Sequence, residues 1–206
     1  MTRMAKVLLA SFAALCAGCE SKPAPTGNSS TPLTPPKTET KSITKPSAAT
    51  ETKIVVTPID SDGLQAAVAK HAGKVVLVDC WATYCVPCMK DFHKTVELSH
   101  ELAGDGLVVM SLAFDDLEDG AAPAKVRNFL KDKDAPFEHF ISRLDLATPE
   151  AQTAFAISDG QLPHFKLYDR QGQLIKAFAV EDPDNADPNA PALHETVKAA
   201  VLEALK

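Results

Sequence analysis

Beyond residue 52, apolar positions recur with two alternating periods, and the chain reads as strands and helices taking turns. Ile54-Val55-Val56 is a short β-like run. Ser61 or Asp62 stands where a helix needs its cap, ahead of Leu64, Ala67, Val68 and His71 at helical spacing and a stop at Gly73. Val75-Val76-Leu77-Val78 is a near-continuous run of β-formers, the pattern of a strand buried on both faces. Met89, Phe92 and Val96, with Leu98 and Leu102 nearby, mark one face of a longer helix that closes before Gly104-Asp105-Gly106. A second buried strand follows over 107–113. Helices are expected over 123–131 and 149–155, with a short strand over 137–141 between them.

The last third of the chain changes pattern. Residues 165–168 and 174–179 are strand-like and joined by Asp169-Arg170-Gln171-Gly172, which reads as a hairpin turn. A polar loop with Pro183, Pro188 and Pro191 comes next. Leu193, Val197, Val201 and Leu205, four apart, define a final amphipathic helix over 192–205. Strand–helix–strand followed by hairpin–helix implies an α/β protein with a mixed sheet.

The first fifty residues have none of this periodicity. Arg3 and Lys6 precede an apolar stretch over 7–17, too short for the roughly 20 apolar residues of a bilayer span and fitted to a secretory signal peptide over 1–18. Residues 19–52 are rich in Pro, Thr, Ser and Lys, with too few apolar side chains to offset the entropy of ordering, and read as a disordered tether. One folded domain over 53–206 is the expectation. A net charge of −6, with no basic run, argues against a nucleic-acid partner. Cys16-Ala17-Gly18-Cys19 resembles the bacterial lipobox, which implies lipidation at Cys19, a membrane anchor and an extracytoplasmic, periplasmic location. The pattern usually has Leu three residues before that cysteine, where this chain has Cys16. Ordinary signal-peptidase cleavage is the competing reading.

Of five cysteines, Cys80, Cys85 and Cys88 then remain in the domain. Cys85 and Cys88 follow a strand and open a helix. A structural zinc site would need a second ligand pair at fitting spacing, and a c-type haem would need His where Met89 stands. Redox chemistry needs only two thiols one helical turn apart, with Pro87 suited to the first turn. Free N–H groups and the helix dipole favour negative charge at Cys85, which makes it the exposed attacking thiolate. Cys88, one turn in, is the resolving thiol. No metal and no cofactor beyond the Cys85–Cys88 pair is expected.

The run Val78-Asp79-Cys80-Trp81-Ala82-Thr83-Tyr84-Cys85-Val86-Pro87-Cys88 resembles the thioredoxin active-site segment, most closely that of the TlpA/ResA-like membrane-anchored thiol–disulfide reductases. Cys80 stands where that family usually has Phe, and Tyr84 where it has Trp. The resemblance implies a thioredoxin-like fold with an insert, within 107–158, between the active-site helix and the final β-hairpin. It also implies a buried carboxylate at Asp79, its pKa raised by desolvation, that accepts the Cys88 proton. Pro163 matches the family's cis-proline, whose geometry would present the Leu162 backbone to substrate as an added strand. Trp81 is expected beside the disulfide, shaping substrate access.

Simpler roles are expected elsewhere. Cys80 points away from Asp79 and should be a small buried hydrophobe. His93 and His100 read as a partly solvated helix stripe, His164 as a surface residue, and Asp115-Asp116-Glu118-Asp119 as a solvated loop. The resemblance implies a monomer that reduces disulfides of exported proteins, such as the haem-attachment cysteines of apocytochromes, with electrons from a membrane thiol carrier. A disulfide oxidant using the same residues, a copper-delivery factor on the same fold, and a binding lipoprotein with a structural disulfide are the alternatives.

Overall fold

The computed structural model describes residues 53–180 and 190–206. The expected signal segment, Cys19, the tether, and Pro183 and Pro188 lie outside those residues.

Strand β2 (Val75–Trp81) organises the rest, because all seven of its residues are buried. The β-formers at its start predicted this, and the burial continues through Asp79, Cys80 and Trp81. On one side β2 pairs in parallel with β3 (Leu107–Ala113), and on the other antiparallel with β5 (His164–Tyr168). With β1 (Val56–Ile59), β4 (Glu138–Ser142) and β6 (Leu174–Ala179), the sheet runs β1-β4-β3-β2-β5-β6. The fold is thioredoxin-like. Helix α3 (Ala122–Asp132) and strand β4 fill the expected insert, and β4 enters the sheet between β3 and β1.

Alternation along β2 divides the interior. Val76, Val78 and Cys80 face α1 (Ser61–Ala69) and α4 (Pro149–Phe155), packing with Leu64, Val68 and Phe155. Val75 and Leu77 face the other way, towards Leu98 and Leu102 of α2 (Val86–Leu102) and Val197 and Val201 of α5 (Leu193–Ala204). Trp81 continues that second face into a cluster with Phe92, Val126 and Leu130. Three layers result, with α1 and α4 on one side of the sheet and α2, α3 and α5 on the other.

Several boundaries move, each for a local reason. β1 begins at Val56 rather than Ile54 and contains Pro58, which an edge strand tolerates because one side of it needs no ladder. The cap of α1 is Asp60, whose carboxylate accepts from the Gly63 N–H at 2.8 Å. His71 lies past the helix and bonds Glu138 at 2.7 Å through Nε2. The hairpin turn forms as expected, with Asp169 accepting from the Gln171 and Gln173 N–H groups and Gly172 at φ 75°. No helix of the described residues is long and apolar enough to cross a membrane.

Candidate active site

The site forms where β2 leaves the sheet and α2 begins. Cys85 is the helix N-cap, with extended backbone angles, and its Sγ accepts the Cys88 N–H at 3.3 Å. Pro87 stands in the first turn, where a missing N–H loses nothing. Cys85 and Cys88 are joined as a disulfide, their Cα atoms 5.3 Å apart. Unbonded N–H groups and the dipole of a 17-residue helix converge on Cys85 and would stabilise its thiolate once the disulfide opens. The expectation of an exposed Cys85 is corrected: the residue is 7% exposed, tucked with Cys88 against Trp81, Ala82 and Phe92. What reaches solvent is its neighbours, Tyr84 at 64% and Val86 at 76%.

Asp79 is buried on the α2 side of β2. Desolvation pushes its carboxyl up to about 7, opposed by a hydrogen bond from Thr95 Oγ1 to Asp79 Oδ2 at 2.6 Å. Trp81 packs beside the disulfide as expected, in one cluster with Cys85 and Cys88. It has no exposed surface and forms a three-ring cluster with Phe92 and Phe129, their ring centroids 5.1 and 4.8 Å away. Pleat alternation turns it inward with Leu77 and Asp79, so it floors the site beneath the disulfide. The Leu162–Pro163 bond is cis, and Leu162 packs on the cluster that contains Cys85 and Cys88.

Two further expectations are overturned. Asp115 is not solvated, because it follows directly from the buried end of β3. Its carboxylate accepts the Thr83 N–H at 3.0 Å and the Thr83 hydroxyl, and so clamps the loop that delivers Cys85. Tyr84 adds a bond from its hydroxyl to the Phe114 carbonyl at 3.3 Å. Asp116, Glu118 and Asp119 are exposed as expected. His164 is likewise buried, being strand-paired opposite Cys80, and burial depresses its pKa to about 4.

Cys80 behaves as read. It is a free, buried thiol on the face opposite Asp79, and desolvation raises its pKa to about 12. His93 and His100 are exposed on α2. Sequence reasoning missed two residues, Thr95 and Lys166, and misread Asp115. Lys166 is buried on β5, its pKa lowered by burial, with Nζ 3.4 Å from the Ala156 carbonyl. Only Thr95 left a trace in the pattern, a polar residue at a position whose helical period calls for an apolar one; Lys166 alternates with Phe165 and Leu167 as a solvent-facing residue would, and Asp115 lies in no periodic element. Among the described residues, no group of three or more His, Cys, Asp or Glu side chains is placed to hold a metal ion.

With this geometry established, comparison with known proteins is informative. The Redoxin family model matches residues 39–193. Thiol-disulfide oxidoreductase ResA of Bacillus cereus is 29% identical over 122 residues, which are 59% of this chain and 64% of that protein. The match thus spans less than two thirds of that relative's length. Among solved structures, a chain described as thiol:disulfide interchange protein DsbE from Chlorobium tepidum superposes with a TM-score of 0.50 at 21% identity. That match covers 68% of this chain and 85% of the other. A hypothetical protein from Sinorhizobium meliloti gives 0.50 at 21% identity, over 73% and 80% of the two chains. At that level of identity the structural likeness speaks for the fold.

Proposed function

Because the chain belongs to the Redoxin family, as a TlpA/ResA-like member of the thioredoxin superfamily, we propose that it is a thiol–disulfide oxidoreductase that reduces disulfides of exported proteins. The observation that carries this reading is the Cys85–Cys88 pair at the mouth of α2, with a buried carboxyl, its pKa raised by desolvation, on the same side of the sheet.

Each step follows from that arrangement. In the reduced protein, the Cys85 thiolate attacks one sulfur of a substrate disulfide, forming a mixed disulfide and releasing the other substrate sulfur as a thiolate. The substrate's strand lies along the Leu162 backbone beside Pro163. Asp79 takes the proton of Cys88, whose thiolate then attacks Cys85 Sγ. The second substrate thiolate leaves, and the protein carries the disulfide. Two electrons have moved to substrate, and a membrane dithiol carrier restores them. No bound cofactor is required. The apolar, exposed Tyr84 and Val86 flank the reacting sulfur and favour a protein substrate that presents unfolded apolar segments. Placement outside the cytoplasm by a lipid anchor at Cys19, and a role in cytochrome c maturation, complete the proposal.

The direction is a matter of potential, about −270 mV for a thioredoxin-like reductant against about −120 mV for a strong oxidant. The deciding experiment uses the full chain with a disulfide-bonded protein substrate and a dithiol donor. Cys88→Ser should accumulate a mixed disulfide through Cys85, and Cys85→Ser should lose at least about a thousandfold in turnover. A Cys85 variant that still turns over ends the proposal. A potential near the oxidant value reverses its direction.

A further inference from the structure

The buried face of α2 reads Cys88, Phe92, Thr95, Val96, Leu98 and Leu102. A threonine there is unexpected on packing grounds. It lowers helix propensity, and it buries a hydroxyl where Leu or Val would fill the space without a polar penalty. Thr95 stands seven residues after Cys88, about two turns along the same face. Its hydroxyl crosses to β2 and meets Asp79 Oδ2 at 2.6 Å, the short separation of a bond to a charged acceptor.

The contact acts on the carboxyl in one direction. A hydroxyl can donate to a carboxylate or accept from a carboxylic acid, but the first bond is charge-assisted and the stronger of the two. Burial favours the neutral acid, and the Thr95 bond opposes it. Among the described residues no other side chain donates a hydrogen bond to Asp79. Asp79 is flanked in the sheet by Ser111 of β3 and Phe165 of β5, neither of them charged. Ser111 is itself bonded to His139 Nδ1 at 2.9 Å, and burial lowers the pKa of that imidazole. From α2 comes the Thr95 hydroxyl, on the same buried face of the helix as Cys88, and on the far face of β2 the Cys80 thiol stays protonated.

We propose that Thr95 is a positioning residue for the resolving step, its hydroxyl bond to Asp79 Oδ2 holding the carboxylate ready to take the Cys88 proton. The inference rests on the reading of Asp79 as proton acceptor and adds the group that tunes it.

The test follows the decay of the Cys85 mixed disulfide by stopped flow, in the full chain, with a fluorescent disulfide-linked peptide across pH 5–9. In the wild type the rate rises with pH as Asp79 ionises. Thr95→Val, which keeps the shape, and Thr95→Ala, which does not depend on fitting a new methyl, should both move that rise upward by about one pH unit. Thr95→Ser, which keeps the donor, should restore the wild-type position. Asp79→Asn should remove the limb near neutral pH, leaving only the rise from Cys88's own ionisation at about pH 8.5 and above. A purely structural threonine would lower the melting temperature in Val and Ala and leave the rise in place, which overturns the inference while the Asp79 reading stands. A limb near neutral pH that survives unchanged in Asp79→Asn sinks the Asp79 reading itself.

Discussion

Asp79 and Cys80 are neighbours in sequence, yet they belong to two different chemical environments. On the Asp79 face, a buried acid is given a hydroxyl donor and lies beneath the helix that carries the reacting sulfurs. On the Cys80 face, a thiol, His164, Lys166 and Tyr168 are all buried, and burial drives each towards its neutral form. Loss of water is the strongest influence on both sides. What separates the acid from the thiol is one directed hydrogen bond and its place beneath α2, not depth of burial.

The two faces also pull stability in opposite directions with pH. Asp79 in the unfolded chain ionises at its ordinary value of 3.8, whereas the folded protein holds the proton to about 7. The folded state therefore binds more protons across that window, and stability falls as pH rises through it. His164 does the reverse. Its folded pKa of about 4 lies below the ordinary 6.5, so the unfolded chain binds more protons and stability falls as pH drops from 6.5 to 4. Between about pH 4 and 6.5 the two slopes oppose each other.

That opposition can be broken from either side. The larger effect is expected from Asp79→Asn, which keeps an acceptor for Thr95 and needs no charge. It should gain up to about 4 kcal/mol above pH 7 and nothing near pH 4, measured by denaturant unfolding of the oxidised chain at fixed pH values. An equal gain at both ends would show that the effect is packing rather than ionisation. His164→Phe should gain up to about 3 kcal/mol near pH 4 and little above pH 7, flattening the acid limb. If instead the acid limb is unchanged, His164 is not the group that titrates there. The smallest effect should come from Cys80→Ala, which leaves a minor void worth about 1 kcal/mol and keeps substrate turnover within about twofold of the wild type. A large loss of turnover would make Cys80 part of the redox chemistry and erase the contrast between the faces.

Periodicity and turn chemistry alone placed most elements to within a few residues. The run Val75–Val78 could only be a strand buried on both sides, and Gly172 with Asp169 could only be a tight turn, because those residue types satisfy local constraints wherever they occur. Cys85-Val86-Pro87-Cys88 was equally legible, since a helix start and two thiols one turn apart are local facts. Tertiary structure decided the rest. Whether Asp115 faces water or Thr83, whether Trp81 floors the site, and whether His164 lies on the surface all depend on which strand lies alongside. Thr95 is the clearest case: its hydroxyl has meaning only through a carboxylate sixteen residues earlier. Distance along the chain carries no signal for such a bond. Desolvation and hydrogen bonding act between neighbours in space, and only the assembled sheet makes Asp79 and Thr95 neighbours.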